Sequence, residues 1–229
     1  MKLRLIVPTV LLTAIAASPA EGAVLGANKP CYREGDPRDP VIFGGGPFTP
    51  GGTVNVTRDG LPIGSLQATP RGVISGNLTR PPIIDPARER PFTLVATDQS
   101  NPALTGRLTR LVTQLDVKVR PTGGRPATRR RITARGFTGG GPLYAHVIRG
   151  RSRRNVRIGR LTGPCGTLRA RKRIFGRSTR NGGYRVQFDA SRRYAPTTYP
   201  SLTFRVRIFT VFRPRSSAAS ASQRWVRTD

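Results

Sequence analysis

A glycine turn that occurs twice constrains the fold more than any other feature of this sequence. The first copy, Phe48-Thr-Pro-Gly-Gly-Thr-Val-Asn-Val, has a counterpart 89 positions later in Gly136-Phe-Thr-Gly-Gly-Gly-Pro-Leu. Because glycine reaches positive φ without steric cost, each copy turns the chain sharply into a run that reads as a β-strand. Self-similarity at one long offset indicates two copies of one module. We therefore expect two β modules in tandem.

Short strands between glycine and proline turns fill the rest of the sequence. In the first module Val54 and Val56 alternate with polar residues, and Asp59-Gly60 is a hairpin signal. A strand over 104–119 closes this module, and in the second module residues 150–155 form a long hairpin loop. No stretch has a convincing 3.6-residue period. We predict an all-β protein with two tandem immunoglobulin-like β-sandwich domains, residues 24–119 and 128–213, joined by a linker over 120–127.

Both ends of the chain differ in composition from the modules. Lys2 and Arg4 precede a short apolar region, and Ser18-Pro19-Ala20 offers small residues for a signal peptidase. We predict a signal peptide over 1–20, with cleavage after Ala23 and an uncleaved anchor as the alternatives. Residues 214–229 are expected to be a disordered tail. The mature chain is then expected to be secreted or associated with the cell envelope, with no membrane span.

The only two cysteines, Cys31 and Cys165, lie one in each copy of the repeat. An even number of cysteines in an exported chain favours a disulfide, with two buried thiols as the alternative. A cysteine nucleophile would need His146, the single histidine, as its base, and nothing suggests a third group to orient it. We predict a Cys31–Cys165 disulfide that ties the two modules together.

The sequence contains no arrangement typical of a catalytic or metal site. One histidine and two distant cysteines do not make a zinc site, and residues 120–229 hold only two carboxylates. The acidic residues Glu34, Asp36 and Asp39 indicate a solvated turn, with calcium ligands as the alternative. We interpret His146 as an exposed strand residue. We expect no enzyme activity, no cofactor, no metal and no small-molecule substrate.

Positive charge is concentrated in the second half of the chain. Residues 21–119 carry eleven basic and nine acidic side chains, whereas residues 120–229 carry 27 basic and two acidic ones. Codon bias would account for 36 arginines against four lysines, but not for the loss of acidic residues from one half. A field of this sign attracts anions.

The densest basic stretches are the second module's hairpin and the run that follows it. Guanidinium groups bind phosphate and carboxylate as planar forks. We therefore expect a polyanion partner such as an anionic cell-wall polymer; a passive extracellular spacer and a nucleic-acid-binding protein are the alternatives. No helix-turn-helix, zinc finger or aromatic platform indicates base-specific reading. The predicted polyanion-binding residues are Arg149, Arg151, Arg153, Arg154, Arg157, Arg169, Arg171, Lys172 and Arg173.

Four short sequence motifs resemble those of a known class of module. They are Cys31-Tyr32-x-x-Gly35, the turn from Phe48 to Val56, the small turn at Gly64, and Phe92-Thr93-Leu94-x-Ala96-x-Asp98. They resemble the immunoglobulin-like modules strung through exported proteins of high-GC Gram-positive bacteria. Residues 120–213 match more weakly, through Gly136-Phe137-Thr138 and the closing strand. The resemblance implies a cell-surface or secreted binding or spacer role, and it brings no catalytic residues.

Overall fold

The computed structural model describes residues 22–84 and 86–209, and all of their regular structure is β-strand. The predicted all-β class is confirmed; that each module is immunoglobulin-like stays a prediction. The predicted signal peptide over 1–20 and tail over 214–229 lie outside the described residues. Across the two described ranges, no helix is long and apolar enough to cross a membrane.

The described residues form fifteen strands. The strands before residue 115 are β1 (Val24–Ala27), β2 (Cys31–Arg33), β3 (Val41–Gly46), β4 (Thr53–Arg58), β5 (Leu61–Gln67), β6 (Ile74–Leu78), β7 (Glu89–Asp98) and β8 (Thr105–Thr113). The strands after it are β9 (Asp116–Arg120), β10 (Arg130–Arg135), β11 (Pro142–Arg149), β12 (Ser152–Arg160), β13 (Leu168–Lys172), β14 (Gly182–Asp189) and β15 (Ser201–Ile208).

These strands belong to two compact units that are discontinuous in sequence. The first unit holds Pro40–Thr79, Pro91–Arg110 and the described residues up to Lys29. The second holds Pro30–Asp39, Arg80–Arg90 and the described residues from Leu111 onward. The units therefore place residues 30–39, 80–90 and 111–119 with the second half of the chain, whereas the predicted limits place them with the first. That residues 24–119 and 128–213 fold as independent domains stays a prediction.

In the first unit, one sheet has the strand order β1-β3-β6 and the other strands follow the order β8-β7-β4-β5. Alternate residues of the central strands are buried, as in Val54 and Val56 of β4 and Phe92 and Leu94 of β7. The predicted hairpin at Asp59-Gly60 is confirmed: both residues have positive φ, 51° and 83°, and β4 pairs with β5 around them.

A buried carboxylate fixes the glycine turn of the first unit. Asp98 accepts hydrogen bonds from the Ser100 hydroxyl (2.7 Å) and from the backbone N–H groups of Thr49 (2.7 Å), Ser100 (2.9 Å) and Asn101 (3.1 Å). The Ser100 hydroxyl and the Thr49 N–H hold the pKa of Asp98 well below its usual range. The ionised carboxylate therefore joins the end of β7 to the turn that opens β4.

The second unit is a sandwich of two sheets, with strand orders β13-β10-β9 and β12-β11-β14-β15. Ile132 and Ala134 from the first sheet pack in one core with Leu143, Val186 and their neighbours from the second. The last residues of β8 pair in parallel with β2. In β10, the residues that alternate with this core, Arg131, Thr133 and Arg135, lie on the outer face of the first sheet.

Both copies of the repeat have the same local contact. In the first unit the Phe48 N–H donates to the Gly72 carbonyl, and a β-carbon on Gly72 would overlap the Phe48 carbonyl oxygen. In the second unit Gly166 approaches the Phe137 carbonyl oxygen in the same way. Each glycine turn is therefore closed by a second glycine that could not carry a side chain without movement.

Two strand predictions need correction. The predicted loop over 150–155 is mostly strand: Arg149 pairs with Ser152, and Gly150, at φ 55°, makes a tight turn. The predicted continuous strand over 104–119 is broken at 114–115, because β9 leaves β8 and pairs with β10. Polar residues are tolerated at strand edges, so a basic loop and a basic strand look alike in the sequence.

The predicted disulfide is confirmed. Cys31 and Cys165 are bonded, with their Cα atoms 5.2 Å apart, and both side chains are buried. Both cysteines belong to the second unit, because residues 30–39 pack there. The bond therefore joins two parts of the second unit that lie 134 residues apart in sequence, rather than joining the two units to each other.

Candidate functional site

The nine predicted polyanion-binding residues are all exposed, but the structure distributes them over both sheets of the second unit. The hairpin β11–β12 carries the five from Arg149 to Arg157, and β13 with the residue after it carries the other four. Since β12 and β13 lie in different sheets, the two groups do not lie on the face of one sheet.

A basic groove lies on the outer face of the sheet β13-β10-β9. It has a volume of about 540 Å³ and includes only two of the predicted residues, Arg169 and Arg171. Its described lining residues are Arg88, Lys118, Arg120, Arg131, Thr133, Arg135, Arg169, Ala170 and Arg171. Seven of these nine are cationic, and we call this surface the basic groove.

Strand alternation puts these cations on one face. In β10, Ile132 and Ala134 enter the core, so Arg131, Thr133 and Arg135 face outward. In β9, Val117 and Val119 are buried, which leaves the alternate positions outward. These are Lys118 and Arg120 in β9, and the corresponding pair in β13 is Arg169 and Arg171.

The register surrounds one short side chain with cations. Thr133 is paired with Arg169 on one side and with Lys118 on the other. Its outward neighbours along β10 are Arg131 and Arg135. All four nearest outward neighbours of Thr133 are therefore basic and longer than threonine, which produces the depression.

Within the described part of the chain, no acidic residue lines the groove and none of its cations makes an ion pair. The acidic residue nearest in register is Asp116, which is paired with Arg135 at one end of the sheet. Like charges at cross-strand spacing destabilise a sheet. An anion in the groove would remove that repulsion.

Sequence reasoning missed five groove residues: Arg88, Lys118, Arg120, Arg131 and Arg135. The alternation of β9 and β10 was a usable signal for four of them. The predicted limits hide this signal, because they place residues up to 119 in the first module and residue 120 in the linker. Arg88 lies in a segment whose position only the tertiary structure shows.

The other predicted residues surround smaller features. Arg149 and Arg154 line a cavity of about 170 Å³ with an apolar floor that includes Phe175, and Arg149 donates a hydrogen bond to the Tyr184 hydroxyl (3.0 Å). Arg153 lies over the ring of Tyr194 at 5.1 Å. The remaining four, Arg151, Arg157, Lys172 and Arg173, are exposed and line neither cavity.

The expectation that His146 is exposed was wrong. The side chain is fully buried, with Nε2 3.0 Å from Asp189 Oδ1 and Nδ1 2.8 Å from Asn155 Oδ1. The Asn155 amide nitrogen donates to the Arg192 carbonyl, which turns Oδ1 toward the ring. The Tyr194 ring lies 5.8 Å from the imidazole, in the segment between β14 and β15. The alternation of residues along β11 does not show that this segment packs over His146.

The acidic turn at 34–39 is also not simply solvated. Arg33 Nε donates to the Asp36 carboxylate at 2.7 Å, and the buried Asp39 carboxylate accepts the Arg33 backbone N–H at 2.8 Å. The Tyr199 hydroxyl donates to Asp36 as well. These bonds hold the segment beside Cys31 within the second unit. Among the described residues, no group of three or more His, Cys, Asp or Glu is placed to hold a metal ion.

No protein-family model and no curated protein matches the chain. Among solved structures, it is similar to a membrane-anchored protein from Corynebacterium diphtheriae, with TM-score 0.33, 14% identity, and 83% of this chain and 58% of that chain covered. It is also similar to a tetra-tandem repeat in the extending region of a large adhesion protein, with TM-score 0.29, 14% identity, and 81% and 48% covered. The chain thus spans about half the length of these structures, and such low scores assign no function.

Proposed function

We propose that the second unit binds a polyanion through the basic groove, in a non-enzymatic protein that is secreted or associated with the cell envelope. One observation carries the proposal: seven cations line the basic groove, with no acidic residue among the described lining. Guanidinium groups are weakly hydrated and present forks of N–H donors that match phosphate and carboxylate.

Charge that served only solubility would not need this arrangement. A soluble surface mixes both signs, because crowded like charges raise the free energy of the folded state. In the groove, Arg131 is paired with Arg171 on one side and with Arg120 on the other. A three-arginine row across a sheet is unfavourable without an anion. This favours binding over the alternative of a passive spacer.

The salt dependence of binding tests the proposal. We expect fluorescently labelled linear polyphosphate to bind the protein, with the Kd rising roughly twenty- to forty-fold between 50 and 200 mM salt if about three phosphates are neutralised. Fluorescence anisotropy measures this. An absence of binding at low salt, or a Kd that barely changes with salt, would leave the spacer as the better account.

The nucleic-acid alternative predicts a different result in the same assay. If bases contribute, an oligonucleotide should bind more tightly than an abasic oligomer with the same number of phosphates, since stacking adds about 1–3 kcal/mol per base. The described groove lining contains no aromatic ring. We therefore expect equal affinities for the two.

A further inference from the structure

We propose that the basic groove is shaped for a single phosphodiester chain that lies along the strands and places one phosphate over each outward position of β10. The inference rests on the proposed function and names the class of polymer that this site takes. It follows from the spacing of the cations rather than from their number.

The first argument is the match between two repeats. Outward residues of a strand are two positions apart, which is six backbone bonds and about 6.4–6.8 Å. A phosphodiester unit whose phosphates are joined through three carbons also has six bonds between successive phosphorus atoms. Two fully extended peptide residues also contain six backbone bonds, so by analogy the unit spans about 6.6–7.2 Å when it is extended. Successive phosphates and successive outward residues of the strand therefore repeat at nearly the same distance.

The second argument is that the groove offers successive positions at this spacing. Over Arg131, a phosphate would have Arg171 on one side and Arg120 on the other. One step along β10, over Thr133, it would have Arg169 and Lys118 in the same relation. The short Thr133 side chain leaves room there for an oxygen, and its hydroxyl can donate a hydrogen bond.

The third position differs from the first two. Arg135 faces outward at the next step, Arg88 lines the groove, and Asp116 is paired with Arg135. Asp116 makes this end less positive than the other, so the tightest contacts should be those around Arg131 and Thr133. Two complete positions and one weaker position define a short site.

Other polyanions present either a different charge spacing or fewer usable charges to this row of cations. An acidic polypeptide carries one carboxylate every three backbone bonds, so only alternate groups could face the strand when it is extended. Inorganic polyphosphate has two bonds between phosphorus atoms and crowds its charges. A polymer with longer links skips positions. Each should still bind the groove through the attraction of opposite charges, but without the added affinity of a matched spacing.

A series of synthetic oligomers with equal charge tests the inference. Oligomers of about six phosphates, joined by linkers of three carbons or of six carbons, would be compared with an oligoglutamate of the same charge by fluorescence anisotropy. We expect the three-carbon oligomer to bind about tenfold more tightly than the other two, which corresponds to about 1.4 kcal/mol. Equal affinity for all three would overturn the inference and leave the proposed function intact. If none of them binds, both fail.

A matched pair of variants locates the effect. Thr133→Glu places a carboxylate in the centre of the groove, whereas Thr203→Glu makes the same change at an exposed position of β15 in the other sheet. We expect Thr133→Glu to remove the preference for three-carbon linkers and Thr203→Glu to keep it. Arg169→Gln and its control Arg205→Gln repeat the comparison without a new buried charge. Retention of the preference in both groove variants would contradict the inference.

Discussion

Replacing both cysteines by alanine should lower the free energy of unfolding by about 5 kcal/mol, the value that chain entropy gives for a closed loop of 134 residues. A cross-link over so long a loop removes many conformations from the unfolded chain and few from the folded one. Cys31 and Cys165 are both buried, so alanine is preferable to serine, whose hydroxyl would have to be buried as well. The measurement is urea unfolding followed by circular dichroism.

The wild-type protein in reductant is the control for this variant. It keeps both sulfur atoms but lacks the bond, so its stability should lie within about 1 kcal/mol of the double alanine variant. If the oxidised protein were no more stable than the reduced protein or the double alanine variant, the disulfide would not be what holds the segment 30–39 in the second unit. The hydrogen bonds that Arg33 donates to Thr138 and that Asp36 accepts from Tyr199 would then be sufficient by themselves.

Substitution of Gly166 by alanine should cost about 3 kcal/mol or more. Gly166 has φ 59°, where a side chain is strained, and its added β-carbon would overlap the Phe137 carbonyl oxygen. Because the obstacle is backbone, it cannot be relieved by rotating a side chain. The second copy of the repeated turn would have to move away from its closing glycine.

Gly139→Ala is the control, since Gly139 lies in the glycine turn that Gly166 closes and has no atom within 4 Å of the added carbon. It should change stability by less than about 0.5 kcal/mol, or raise it slightly by restricting the unfolded chain. Thermal unfolding of both variants gives the comparison. Equal losses would mean that the turn does not depend on the close approach at Gly166.

Local signals in the sequence predicted much of the fold. Asp59-Gly60 predicted a hairpin because the turn needs two residues with positive φ. The repeated phrase at Phe48 and Phe137 predicted two related turns, which have the same glycine contact in the structure. Both depend on residues close together in the chain.

Features that depend on distant pairing could not be predicted in this way. The break after β8 moves β9 to a new partner, and nothing in its own residues indicates which strand it will join. His146 is polar and occupies the outer phase of β11, yet the segment between β14 and β15 covers it. A period of two shows which residues share a face but not what lies over that face.

The same limit applies to the candidate site. The high density of arginine correctly drew attention to the second half of the chain, but it grouped Arg153 and Arg154 with Arg169 and Arg171 because they are near in sequence. The register instead joins Arg171 to Arg131 and Arg120, which lie 40 and 51 positions earlier. Cross-strand neighbours, rather than sequence neighbours, define the basic groove.

The most direct measurement of the central claim is the affinity for linear polyphosphate of two double charge reversals. Arg169→Glu/Arg171→Glu changes the groove, and Arg205→Glu/Arg207→Glu changes two exposed arginines at the same spacing on β15 of the other sheet. The net charge change is identical. We expect the groove variant to weaken binding about a hundredfold or more and the control about threefold or less. Equal losses in the two variants would contradict the account, because binding would then follow total charge and not the groove.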